Sequence, residues 1–376
     1  MHDEICRKLD RIDELFPRER LEASKERIRA LKNNRKPDRL PFILASLGFN
    51  YYNDVMPSKE CLKRMLDEII AHGHTRDDFI PHFFPGCRQA TIPNMFGAKE
   101  IVEVRNDGSL EYGISERLLG PDDDPENLPD PDITAGSIAS NWLEMQKYVL
   151  EETDGRLPIS VIDMQGPMDV AGQLWGYENL FMDAMSGGTK SHNLLTKCTT
   201  AFIRLWQKQV DLLGDLFVGT HLWGWSWVES GAGHGATVSM DSMAMISADF
   251  FLEHTREHLL RISKEFGGLT IHSCGKFGGV IPGINSIPGI EGINASQMTI
   301  QQLLDAGASP DLFFVLLLDY SRLAEEYALI KSGNLKVEMT VGGVWPEGRQ
   351  SIEQFGELDW KLLREKEDHI LKMVTL

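Results

Sequence analysis

The chain has few cysteines, a deficit of basic charge and no long apolar run. Five cysteines stand in 376 residues: Cys6, Cys61, Cys87, Cys198 and Cys274. They are odd in number and never close in sequence, which excludes a disulfide-stapled secreted scaffold and fits a reduced, cytoplasmic protein. Lysine and arginine total 38 against 56 acidic residues, a net charge of −18. Phosphate binding needs basic patches, so no nucleic-acid partner is expected. The same charge argues against broad docking on anionic membranes. The longest apolar run, "LFFVLLL", is far shorter than a bilayer-spanning helix requires. The opening "MHDEICRKLD" is charged and lacks an apolar stretch, so no secretory signal is expected.

Hydrophobic residues make up 42% of the chain, enough for a large core. Eight short apolar runs alternate with helix-like stretches, at 41–47, 78–84, 158–163, 216–223, 269–274, 290–296, 312–319 and 336–342. Short, continuously apolar strands between helices are the pattern of a parallel sheet covered on both faces. Eight of them predict a (β/α)8 TIM barrel, with a doubly wound open sheet as the alternative. One barrel domain over 1–376 accommodates the whole chain, with a helical extension at 1–40 and an insertion at 86–140. Within that insertion "EIVEVRNDGSLEYG" reads as a β-hairpin turning at Asn106, Asp107 and Gly108. The acidic, proline-rich "GPDDDPENLPDPD" follows as an exposed loop. A helix is expected over 192–213, with Cys198 on its apolar face, and Ser247 is expected to cap the helix after it.

In a barrel the chemistry lies at the C-terminal ends of the strands. "IHSCGKFGG" puts His272 and Cys274 two residues apart at such an end. Residues i and i+2 of a strand share a face, so an imidazole and a thiol point the same way. Both are preferred zinc ligands. The competing reading is a small buried thiol beside a hydrogen-bonded structural histidine. Other strand-end candidates are Gln165, Asn294 and Glu338, with Arg88 in the loop after the second strand. His221, His234 and Asp241 are candidate acid/base groups, the last two in the glycine-rich "SGAGHGATVSMD". Trp223, Trp225 and Trp227 alternate and would face one side, as packing or as a platform for a small-molecule substrate. "HTREH", 254–258, matches H-x-x-E-H, a pattern of one metalloprotease class. Its helix belongs on the outer wall, so a solvated helix face is expected there instead.

Three segments resemble the uroporphyrinogen decarboxylase superfamily, in order: "SKERIRALKNNRKPDRLPF", "DMQGPMDVAGQLWGYENLFMDAM" and "ISADFFLEHTREHLLRISKEFGGLTIHSCG". The resemblance implies a (β/α)8 barrel and offers two chemistries. One is cofactor-free decarboxylation of uroporphyrinogen. The other is transfer of a methyl group from a corrinoid, carried on a partner protein, to a zinc-activated thiol. H-x-C is similar to the zinc motif of that second branch and carries over to His272 and Cys274. The branch usually adds a cysteine near the last strand, and none follows Cys274 here, so the third ligand is missing or is an oxygen or nitrogen donor, with Glu338 the best-placed residue. The decarboxylases carry arginines just after strand one, where this chain has "ASLGFNYYNDVMPSKE". The methyltransferase is therefore the expected activity. The decarboxylase and a non-catalytic corrinoid- or small-ligand-binding protein are the alternatives.

Overall fold

The structure is a computed structural model that describes residues 2–45, 59–86, 88–102, 114–219, 235–344 and 360–375. Among the described residues ten strands run in chain order: β1 (Phe42–Leu44), β2 (Glu100–Ile101), β3 (Ile114–Ser115), β4 (Ile159–Ser160), β5 (Phe217–Val218), β6 (Ala236–Ser239), β7 (Leu269–Ser273), β8 (Ile290–Ala295), β9 (Phe313–Asp319) and β10 (Lys336–Gly342). Six form one parallel sheet in the order β1-β10-β9-β8-β7-β6, and β4 and β5 form a separate parallel pair. Helices lie between most of them, and the fold is a mixed α/β architecture of TIM-barrel type.

Two links join the sheets. Gln165 bridges Ser239 in parallel register, so the chain beyond β4 meets β6. Gly166 makes that approach possible: a Cβ there would stand 2.8 Å from Val238 Cγ1 and 3.1 Å from the Ser239 carbonyl. Phe83 bridges Ile159, and the Asp78 amide donates to the Phe42 carbonyl at 2.8 Å. Residues 78–84, expected as a full strand, therefore contribute a single bridge residue. The reverse correction applies to 236–239, expected as loop and found as β6.

Strand identity follows burial. β7 is buried along its whole length, and β9 and β10 are buried through their centres. Such strands read as continuous apolar runs because both faces are covered. β2 and β3 pair antiparallel, as expected for the hairpin; its turn at 106–108 lies outside the described residues. The helix His2–Leu15 and the helix Arg18–Lys32 form the expected N-terminal extension. The Pro-Asp-Arg turn after them is fixed by charge. Arg27 grips Asp38 through Nε at 2.8 Å and Nη2 at 2.9 Å, while Arg39 and Arg27 both bind the buried Asp78. Asp78 also accepts from the Phe42 amide at 3.0 Å, which ties the turn to the start of β1.

The helix Lys190–Leu213 buries Leu194, Leu195, Cys198, Phe202, Leu205 and Trp206 on one side, as its periodicity predicts. Gln209, on the same helix, is fully buried. Its Oε1 accepts from the Ile162 amide and from Gln146 Nε2, both at 3.0 Å. These bonds fix the chain just beyond β4. Among the described residues no helix is long and apolar enough to cross a membrane.

Candidate metal and active site

His272 and Cys274 do share a face, and their side chains meet. Cys274 Sγ lies 3.2 Å from His272 Nε2, just past the end of β7. The neighbouring strand sets the imidazole. Asn294 on β8 is paired with His272, and its Nδ2 donates to the Val315 carbonyl at 2.8 Å. With the amide nitrogen committed there, Asn294 Oδ1 faces His272 Nδ1 at 2.5 Å and accepts its proton. The lone pair of the neutral ring then sits on Nε2, pointing at the thiol. Asn294 is completely buried, and its side chain binds the His272 ring and the Val315 carbonyl.

The third member comes from the other side. β6 leads through Met240, whose amide donates to the His272 carbonyl at 2.8 Å, into a turn that begins at Asp241. Asp241 Oδ1 accepts from the Cys274 amide at 2.6 Å. The ligand atoms of Asp241, His272 and Cys274 all lie within 4.8 Å of one another. Asp241, expected as an acid/base group, therefore stands with the two expected metal ligands.

Beneath this cluster lies Asp169, a residue that sequence reasoning misses. It sits in the helix Pro167–Trp175 and is buried. Its Oδ2 accepts from the Asp241 amide at 2.7 Å and its Oδ1 from the Ser242 amide at 2.9 Å, which holds the turn carrying Asp241. Burial pushes its pKa up to about 7; the Asp241 charge adds to the rise, and the two amides oppose it. Tyr177 packs over the same carboxyl, and its closeness to Gly172 leaves no room there for a Cβ. The available signal was chemical: Asp169 is the one charged residue in "PMDVAGQLW".

The Cys274 thiol is pushed up to about 12, first by burial and then by the Asp241 carboxylate. In this surrounding the thiol stays protonated unless a cation joins it. A histidine lone pair, a sulfur and a carboxylate converging on one point form a donor set suited to zinc. Zinc at about 2.3 Å from sulfur and 2.0 Å from nitrogen would set those atoms roughly 3.5 Å apart, close to the separation present. The residues fit the metal.

The remaining candidates are placed differently. Glu338 is buried on β10, apart from the cluster, and the charges acting on it are those of Lys32 and Asp78. Desolvation raises it to about 8, and its carboxyl oxygens find no hydrogen-bond partner among the described residues. Among the described residues the carboxylate beside His272 and Cys274 is that of Asp241, and Glu338 stands apart from it. Arg88 is buried in an ion pair with Glu100 of β2 and is already neutralised by the hairpin. Gln165 is buried at the bridge to Ser239. Cys87, His221, Trp223, Trp225, Trp227 and His234 lie outside the described residues. A separate cavity of about 400 Å³ opens by Lys36, Arg39 and Lys336, at the opposite end of β10 from the strand ends that carry chemistry.

No family model matches the chain, and no curated protein matches it. Among solved structures, a methyltransferase from Methanosarcina mazei superposes with a TM-score of 0.62 at 15% identity, covering 92% of this chain and 98% of that one. The likeness shows the fold.

Proposed function

We propose that the chain is a zinc-dependent methyltransferase in which a single closed (β/α)8 barrel presents His272, Cys274 and Asp241 to the metal. The observation that carries this reading is the convergence of the His272 Nε2 lone pair, Cys274 Sγ and the Asp241 carboxylate. The solved structure of like fold is a methyltransferase, which agrees with it. Zinc in that position would act as a Lewis acid, leaving a coordination site at which a thiol substrate is acidified. The chain's own residues supply the rest. Asn294 keeps the imidazole in the tautomer that a ligand needs. Asp169 holds the turn that brings Asp241 to the Cys274 amide. The proposed methyl donor is a corrinoid on a partner protein.

Two features weigh against the decarboxylase alternative. Residues 45–60 contain no arginine, and Arg88 is paired with Glu100, so carboxylate-gripping cations are scarce. Methyl transfer from methylcobalamin to a small thiol, followed by chromatography, tests the proposal. Turnover by the wild type that is lost in Cys274→Ser supports it. Full turnover by Cys274→Ser removes the metal from the mechanism. A folded protein that binds methylcobalamin without zinc and without turnover returns the reading to a binding protein.

A further inference from the structure

The H-x-x-E-H stretch does not form the single helix face that its spacing predicts. The helix Ala248–His254 ends at Thr255, and a second helix, Arg256–Phe266, begins after it. His254 is left on the first helix, packed against Phe250 with ring centroids 4.7 Å apart. Glu257 and His258 fall in the first turn of the second, beside the first turn of Lys190–Leu213. A third residue joins them there. His192 Nδ1 lies 2.9 Å from Glu257 Oε1, and His258 Nε2 lies 3.7 Å from the same oxygen. The ligand atoms of all three lie within 4.8 Å of one another.

The state of His258 makes this more than a surface ion pair. His258 is only 4% exposed, and its Nε2 has no hydrogen-bond partner among the described residues. Its Nδ1 lies 3.2 Å from Thr199 Oγ1, and that hydroxyl already donates to the Leu195 carbonyl at 2.7 Å. Thr199 must therefore accept from Nδ1–H. The lone pair of the neutral ring is left on Nε2, aimed at a carboxylate oxygen that offers only lone pairs of its own. A buried acceptor facing an acceptor is unfavourable unless something positive lies between them.

We propose that His192, Glu257 and His258 form a second metal site, for a divalent transition-metal cation such as zinc, on the outer wall of the barrel. Two imidazoles and one carboxylate are a common zinc donor set. Thr199 orients His258 from behind, as outer-shell partners of metal-bound histidines do. His192 and Glu257 are each about half exposed, so the cation has a path in from solvent. The nearby Arg261 opposes cation binding and keeps the affinity moderate. The site is independent of the strand-end cluster.

The test uses the full-length Cys274→Ser chain, in metal-free buffer, titrated with zinc ion against a competing chromophoric chelator. His192→Ala and Glu257→Gln are built in that background. Both change half-exposed side chains, so folding is retained, and circular dichroism checks it. The parent should bind one equivalent that each variant weakens tenfold or more. Zinc should also raise the parent's Tm and leave that of His192→Ala unmoved. Equal zinc uptake and equal Tm shifts in parent and variants would overturn the proposal, as would a parent that binds no zinc. Since Cys274 is absent throughout, neither result bears on the strand-end cluster.

Discussion

His272 Nδ1 and Asn294 Oδ1 stand 2.5 Å apart across the paired strands β7 and β8, and this contact decides which ring nitrogen faces Cys274. Replacing Asn294 by alanine frees the ring to turn or change tautomer. Zinc affinity at the strand-end cluster should fall about 10- to 100-fold. Loss of the buried Asn294 hydrogen bonds to the His272 ring and the Val315 carbonyl should cost roughly 1–3 kcal/mol of stability. Competitive zinc titration and urea denaturation measure the two effects separately. Unchanged zinc affinity would show that Asn294 does not set the ring.

Asp241 and Glu338 are rival third ligands, and paired variants separate them. Asp241→Asn should lower zinc affinity at least tenfold while leaving the Cys274 amide an acceptor. Glu338→Gln should leave zinc affinity unchanged, because its carboxyl lies in the environment of Lys32 and Asp78. Zinc lost with Glu338→Gln and retained with Asp241→Asn would reverse the assignment.

Glu338 also makes a prediction about pH. Its carboxyl is near pKa 8 in the folded chain and about 4.3 when unfolded. Between those values the folded state holds a proton that the unfolded state has released, so stability falls as pH rises from about 4 to 8. Asp169, raised to about 7, adds in the same direction. Glu338→Gln removes the first contribution. The variant should match the wild type near pH 4–5 and exceed it by roughly 1–3 kcal/mol at pH 8.5. Urea unfolding at both pH values reads the difference, and a variant that loses ground as pH rises would contradict it.

Substrate class has its own test. Incubation with uroporphyrinogen, followed by chromatography of the products, should show no stepwise loss of carboxylates. Efficient decarboxylation would mean that cations outside the described residues grip the substrate, and would return the chain to the decarboxylase reading.

Much of the fold was legible because buried parallel strands are apolar along their length, as in β9 and β10. The exceptions have local causes. Residues 78–84 include a proline, which cannot donate to a ladder, and only Phe83 bridges. β6 was hidden in a glycine-rich stretch whose pattern reads as loop. At the site, the two-residue spacing of His272 and Cys274 carried their contact directly. Asp241 was recognised as a chemical group but not as their neighbour, because no local period links residue 241 to residue 274. Asn294 and Asp169 act from behind, through contacts between distant segments. His192 was invisible for the same reason, since it meets Glu257 only when two helices pack.

Cobalt substitution tests the central claim most directly, because a thiolate bound to cobalt gives a charge-transfer band that histidine and carboxylate ligands lack. The wild-type chain, purified without chelators and exchanged with cobalt, should show this band at one equivalent. The band should vanish in Cys274→Ser and persist in His192→Ala. A wild-type chain that takes up no cobalt, or takes it up without a thiolate band, would contradict a metal held by His272, Cys274 and Asp241.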